Sequence, residues 1–432
     1  MFWPETTVDR LRSVVLAGFP ERIDGPRTVG TEEELLLVNS DGTMGSTEVF
    51  FRFFADEPGW TPVHKDGILE GFKHPDLGYL TTDAGLGTLE LDLAPSHNLH
   101  VLALRQAAFI KLVVRVAKQA GFLIYGSGIN PVTEPHETLW QRKVRYRIII
   151  DRFSPNVHMA PITASTQVHV AITRDEIIPV TTIMNAMTGP LIALMQNSPI
   201  WKGKEDEHGR SAVREELWDE ICDPNRVTLP PRRFASVDDY LFAMLSCETF
   251  MLPDPHHPER FIRCDVPLGE VLGANHAPQN YLKRIIAIHE GTVWWDSRPR
   301  CVFGTEEVRM CCQQPQQVGI GVAVLIAGVI TAWRGLATTV DAFPWEFWKR
   351  MRKVGIREGL NGRVDGILVG DIAKALVATA YTGLYQRDLN EAPLLKEMSH
   401  RLTGGKPVPA ETARSIFRKE GVPGLVQAFA YC

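Results

Sequence analysis

The chain has no cysteine pair at metal-ligand or redox spacing, no apolar run long enough to cross a bilayer and no excess of positive charge. Its seven cysteines (Cys222, Cys247, Cys264, Cys301, Cys311, Cys312, Cys432) include no CxxC, which argues against zinc-ribbon and thioredoxin-like readings and fits reduced thiols in a cytoplasm. Adjacent Cys311 and Cys312 read as a plain structural pair. The longest uncharged apolar stretch, Val318 to Trp333, covers 16 residues, short of the roughly 20 that a spanning helix needs, so a buried helix is expected there. The N-terminus, Met-Phe-Trp-Pro-Glu-Thr-Thr, has no basic segment followed by an apolar core. The expectation is a cytoplasmic protein with no secretory signal and no membrane partner. A net charge of -5 and a pI near 6.2 argue against nucleic acid, whose backbone is held by clustered Lys and Arg. Local basic stretches such as Lys349 to Lys353 read as solvated helix faces.

Several catalytic signatures are missing too. There is no GxxxxGK[ST] phosphate loop, no GxGxxG after a strand, no GxSxG elbow and no HExxH, since His289-Glu290 lacks its second histidine. Nucleotide binding by a glycine-rich loop is thereby disfavoured. No period of 20 to 50 residues and no Pro- or Ser-rich linker divides the chain. With 432 residues, 44% hydrophobic and 22% charged, it reads as one α+β catalytic domain over 1–432, with a sheet-rich core at about 27–315 and a helical part at about 316–432.

What is present is acid in apolar surroundings. Glu32, Glu33 and Glu34 interrupt the run from Val29 to Val38, and in an extended chain Glu32 and Glu34 point one way while Glu33 points the other. An exposed strand end remains open as the bland reading. The other reading is a cation site, because adjacent carboxylates repel unless something positive offsets them and oxygen-rich sites suit hard divalent ions.

Strands are expected at Arg27 to Asn39, Thr61 to Asp66, Gly78 to Asp83, Gly87 to Leu93, Thr166 to Thr173, Gly291 to Arg298 and Thr305 to Cys311. Helices are expected around Phe109 to Ala120, stopped at Gly121, and from about Ile178 to Gln196. Several of these strands carry polar residues at period two: Thr88, Glu90 and Asp92; Gln167 and His169; Asp296 and Arg298; Glu307 and Arg309. An antiparallel sheet with one solvated face gives the same alternation singly. With Glu32 and Glu34, five segments together favour a polar, concave sheet, on which metal ions can bridge acids to phosphates while arginines neutralise the rest.

The segments Gly30-Thr31-Glu32-Glu33-Glu34-Leu35, Gly87-Thr88-Leu89-Glu90-Leu91, Thr166-Gln167-Val168-His169-Val170, Asn197-Ser198-Pro199-Ile200-Trp201, Trp295-Asp296-Ser297-Arg298 and Glu307-Val308-Arg309 occur in that order. This ordered set, spanning roughly residues 27 to 365, resembles the glutamate–cysteine ligase family of plant and proteobacterial type, including the related bacterial carboxylate–amine ligases. Arg214-Glu215-Glu216-Leu217-Trp218, Asp223, Arg226, His289 and Thr292 add to it.

The resemblance implies a glutamine-synthetase-like curved antiparallel sheet and ATP-dependent amide formation on the side-chain carboxylate of glutamate. The route would be a γ-glutamyl phosphate, with cysteine or a cysteine-like amino acid as acceptor. It implies ATP and magnesium or manganese as cofactors, with Glu32, Glu34, Asp83, Glu90, His169 and Glu307 as metal ligands. Gln167, Arg214, Arg298 and Arg309 would line the nucleotide and glutamate sites, Arg298 and Arg309 taking the catalytic roles through bidentate binding of carboxylate or phosphate. For Arg214 a surface helix salt bridge is the competing reading. Trp294 and Trp295 would be wall or packing residues, and Glu33 would tolerate change. The partners implied are small molecules, with room for a homo-oligomer.

Two positions depart from the family pattern. Cys312 stands where an aspartate is common, and Glu306 where an apolar residue is usual. The first puts the acceptor in question, so a γ-glutamyl ligase using another amino acid or amine is an alternative. A catalytically silent homologue that binds nucleotide or amino acid is another.

Overall fold

A computed structural model describes residues 3–65, 67–257, 260–274 and 278–432. Among them one sheet dominates, built from Val29–Val38 (β1), Thr61–Lys65 (β2), Ile68–His74 (β3), Gly78–Thr82 (β4), Thr88–Leu93 (β5), Leu123–Tyr125 (β6), Ser165–Ala171 (β7), Ser297–Arg300 (β8) and Thr305–Cys312 (β9). The order is β8-β9-β7-β1-β5-β4-β3-β2, with β6 pairing β1. Every pair is antiparallel. Strands distant in sequence thus meet at the centre, where β1 lies between β5 and β7.

Burial follows the period of two. Leu35, Leu37, Leu89, Leu91, Leu93, Val168 and Val170 face one side and are buried. Helices cover that side: Leu99–Gln119 (α1), Ile177–Ala186 (α2), Thr188–Met195 (α3) and Gly321–Thr331 (α4). α4 is buried throughout except at Thr331, as its uncharged sequence requires. No single described helix is long and apolar enough to cross a membrane.

The expected strands are found with trimmed ends, and Asp66 lies outside the described residues. β3 was hidden by Gly71 and by polar Lys73 and His74 at its end, and β6 is too short to carry a period. The single helix expected from Ile178 to Gln196 breaks at Met187, just ahead of Gly189-Pro190, where a proline is tolerated in the first turn of a new helix but not inside a continuous one. The strand expected from Gly291 to Arg298 divides into Trp294–Trp295, paired with Val227–Thr228, and β8, while Gly291 ends the helix Gln279–Gly291. Past residue 316 a small hairpin, Arg363–Val364 with Ile367–Leu368, interrupts the helices.

A bulge in β9 decides which residues face the site. Val308 pairs with Val168, but Cys311 pairs with Thr166 and Cys312 with Ser165, so two residues of β9 oppose one of β7. Bulges bend a strand and re-aim a side chain. Here the bulge brings Cys312, and not Cys311, to the polar face. At the other end Gly304, with φ of 67°, closes the turn joining β8 to β9.

Candidate active site

The polar face of the sheet is the floor of a cavity of about 520 Å³. Its acids come in cross-strand rows: Glu32 lies opposite Asp92 and Glu34 opposite Glu90. Like charges directly opposite one another are unfavourable. Burial first, then the charges of Asp92, Asp83, Glu32 and Glu34, push the Glu90 carboxyl well above its ordinary range. Burial and Asp83 bring Glu34 up to about 7; burial and Glu32 do the same for Asp92. Glu34 nevertheless has donors, the Ser165 amide at 2.6 Å and the Gln167 amide nitrogen at 2.6 Å. Asp83 receives the Tyr146 hydroxyl at 3.3 Å.

The other end of the floor is cationic. Glu307 takes Arg298 at 2.8 Å and Arg309 at 2.6 Å, and Arg300 joins them. Burial alone would raise this carboxyl, yet the three guanidiniums hold it well below its usual range. His169, opposite Glu307 in the register, bridges back with Nε2 3.0 Å from Glu32 and Nδ1 3.0 Å from the Thr305 hydroxyl. That hydrogen bond and charge outweigh burial and keep Glu32 below its ordinary value.

Glu32, Glu34, Asp83, Glu90, Gln167 and Arg309 line the cavity together. His169, Glu307 and Arg298 sit against it without lining it. Arg214 is not on a surface helix: it is buried, pairs with Glu215 at 3.0 Å and lines a small neighbouring hollow. Trp294 belongs to the cavity wall, whereas Trp295 is packed away with its indole N–H on the Asn225 carbonyl.

Glu33 departs from the expectation of tolerance. It is buried on the opposite face, where it accepts from Gln106 at 2.8 Å, Thr166 at 3.1 Å and Gln313 at 3.1 Å. Gln313 also donates to the Glu34 carbonyl at 2.8 Å, so this carboxylate ties the back of β1 to the chain that follows β9.

Sequence reasoning missed Arg145, Tyr146 and Arg300, all lining the cavity, and left Asp92 out of the acid set. Arg145 and Tyr146 sit on the helix Val144–Phe153, outside every motif. Asp92 and Arg300 were detectable, since each continues the alternation of Glu90 and Arg298 on its own strand.

Cys312 lies in neither hollow. Its sulfur is 3.3 Å from Glu215 Oε1 and 3.6 Å from the Ser198 hydroxyl, and burial pushes the thiol well up. The unusual Glu306 is buried on the helix side, where it accepts from Thr181 at 2.8 Å and from Ser297. Burial raises it to about 8, which favours the neutral form that an apolar layer tolerates.

A divalent ion suits the donor set at the acid end, which offers carboxylate oxygens in mutual repulsion and an Asp92 Oδ1 buried without a hydrogen-bond partner. Among the described residues no three His, Cys, Asp or Glu side chains already stand together as a metal cluster.

Residues 28–416 match glutamate–cysteine ligase family 2. A putative glutamate–cysteine ligase 2 from Salinispora tropica is 26% identical over 317 residues, covering 73% of this chain and 67% of that protein. A glutamate–cysteine ligase from Haloferax volcanii is 25% identical, covering 68% and 66%.

Among solved structures, the Francisella tularensis glutamate–cysteine ligase in complex with AMP aligns over 95% of this chain and 89% of its own, with a TM-score of 0.55 and 12% identity. The bifunctional glutathione synthetase of Pasteurella multocida aligns over 99% and 53%, with a TM-score of 0.54 and 13% identity. The α+β architecture with a large antiparallel sheet that the resemblance implied is the fold found, and it is shared with these two ligases. The chain belongs to glutamate–cysteine ligase family 2, a family of carboxylate–amine ligases.

Proposed function

We propose that the chain is an ATP-dependent ligase joining an amine to the γ-carboxyl of glutamate through a γ-glutamyl phosphate. The observation that carries this reading is one cavity with a carboxylate end and a guanidinium end on the same sheet face, in a chain of this family. The AMP bound by the Francisella relative supports a nucleotide substrate.

Glu32, Glu34, Asp83 and Glu90, with His169 beside them, would hold magnesium or manganese. Bound there, the ion would neutralise acid and phosphate charge and stabilise the charge that moves in phosphoryl transfer. Arg309, Arg300 and Arg145 offer their guanidiniums to substrate carboxylate and phosphoryl oxygens. Arg298 acts from behind: locked to Glu307 at 2.8 Å and to the Glu290 carbonyl at 2.7 Å, it fixes where Glu307 holds Arg309. Gln167 donates to Glu34 and leaves its own oxygen without a partner, an acceptor suited to the amino group of glutamate. Trp140, Trp218 and Trp294 on the wall exclude water, which would otherwise hydrolyse an acyl phosphate.

In the first step a γ-carboxylate oxygen attacks the γ-phosphorus of ATP and the bond from that phosphorus to ADP breaks. In the second, the amine lone pair attacks the acyl carbon. The carbon–oxygen bond to phosphate then breaks, and phosphate leaves with the electron pair and the amine's proton. Holding both reactants in one dry cavity supplies the orientation such steps need.

Cysteine or a cysteine-like amino acid is the proposed acceptor, after the names of the relatives. Another amino acid or amine is the second reading, favoured by the thiol of Cys312 at the family's aspartate position. Glu215, against that thiol, returns a carboxylate to the same corner. The test is ADP release with ATP, magnesium, glutamate and a panel containing cysteine, 2-aminobutyrate, other amino acids and simple amines, with mass analysis of the product. A γ-glutamyl amide with one acceptor supports the reading. ADP release stimulated by none of them favours the catalytically silent alternative.

A further inference from the structure

Two smaller hollows lie in line behind the active-site cavity. The first, about 20 Å³, shares Trp218, Trp294 and Arg309 with the main cavity. On its far side Val227, Thr228 and Arg352 also line an outer pocket of about 480 Å³. The rim of that pocket carries Lys349, Arg350 and Lys353 on the helix Trp345–Glu358, the basic run that the sequence left as a solvated face.

Cations therefore follow one another outward: Arg309, Arg214, Arg352, then the rim. The acids among them are already engaged. Glu215 pairs with Arg214 at 3.0 Å, Asp296 and Asp219 pair with Arg352 at 2.5 and 2.6 Å, and Glu346 pairs with Lys349 at 2.7 Å. Two donors are left over. Arg214 Nε is buried with no hydrogen-bond partner, and exposed Lys353 has no ion pair among the described residues. A buried donor without an acceptor is costly and points to a ligand that supplies one.

We propose that this line of hollows is the exit path for inorganic phosphate and that the outer pocket is a phosphate-binding site at its end; the inference rests on the ligase reading above. The positive lining selects an anion. Of the anions in the reaction, phosphate is the smallest, whereas ATP, ADP and glutamate fill far more than the narrow middle hollow. That hollow has room for about one water, so the path opens for passage and closes again. The constriction has the parts to do so. Thr228, with φ of 67°, holds a backbone conformation that β-branched residues rarely adopt, and its strand pairs directly with Trp294–Trp295. Arg352, latched to Asp219 and Asp296, can exchange one carboxylate for a passing phosphate.

The experiment compares the full chain with the double variant Lys349→Glu, Lys353→Glu. Both side chains are outside the catalytic cavity and on the surface, so folding is not at stake. Equilibrium dialysis with radiolabelled inorganic phosphate, at low salt, is expected to show binding weakened about tenfold, the order that charge reversal gives in an electrostatically steered site. Rapid-quench measurement of amide formed in the first turnover is expected to match the wild type, while a phosphate-sensing fluorophore reports later release. Phosphate binding and release unchanged in the double variant would overturn the path while leaving the ligase reading standing. A wild-type chain that makes no amide and no phosphate with any amine overturns both.

Discussion

Glu90 and Glu307 project from the same sheet face, and their surroundings are opposite. Three guanidiniums hold Glu307 in its ionised form. Around Glu90, burial and other acids outweigh the charges of Lys143 and Arg145 and favour its neutral form. One carboxylate is complete within the protein and the other is waiting for a cation. The contrast divides the expected metal ligands: Glu34, Asp83 and Glu90 belong to the waiting group, Glu32 already shares His169, and Glu307 serves the arginines.

Substitution should therefore give effects of opposite sign on stability. The largest expected effect is on activity: Glu90→Gln should lower kcat/KM by about a thousandfold, roughly 4 kcal/mol of transition-state stabilisation. The same change should raise the thermal midpoint of the metal-free protein, because keeping the Glu90 carboxyl protonated among other acids costs free energy at neutral pH that an amide does not. Glu307→Gln should do the reverse and destabilise the fold by about 3–5 kcal/mol, since it strands buried guanidiniums. Thermal melts with and without magnesium check both. If the two variants shift the metal-free midpoint in the same direction, the comparison fails.

The acid end also sets a pH dependence. A carboxyl raised in the folded state binds more protons than it does unfolded, so its contribution is full below the unfolded value, near pH 4, and is lost as pH rises through the folded value. For Glu34 and Asp92 that value is about 7. Between about pH 4 and 7 these two groups should weaken the metal-free protein, and magnesium should offset the loss. Magnesium should also bind more tightly as pH rises through 7 and release protons, which calorimetry in buffers of different ionisation enthalpy would detect. Glu307 behaves in the opposite way: its contribution is present above its unfolded value and disappears only as pH falls through a folded value well below it.

Glu33 gives the smallest expected effect and sharpens the contrast along β1 itself. Glu33→Gln should cost about 1–3 kcal/mol of stability by mismatching three donors, with the magnesium dependence of the protein unchanged. A loss of magnesium binding in this variant would mean that the two faces of the strand are not independent.

Much of this was legible in the sequence. Alternation placed Glu32, Glu34, Glu90, Gln167 and Arg309 on one face, because a strand's side chains have only two directions. Six of the nine strands of the main sheet were read to within a few residues. The tolerance of Glu33 was misjudged because period two says that a side chain faces away from the site, but not that Gln106, Thr166 and Gln313 meet it there. Arg145 and Tyr146 could not be found, since they reach the cavity from a helix whose own period marks no site. The β9 bulge was equally silent: Met310 and Cys311 read as ordinary strand residues, and only the pairing with β7 reveals the extra residue that turns Cys312 inward.

Both ends of the cavity are assigned to a single event, the activation of one carboxylate by one phosphoryl group. Oxygen-18 in the γ-carboxylate of glutamate tests that most directly, with ATP, magnesium and the acceptor that gives product. An acyl phosphate requires one labelled oxygen to appear in the released phosphate, detected by mass spectrometry, with the other retained in the amide. Unlabelled phosphate formed alongside ADP and amide would contradict the account.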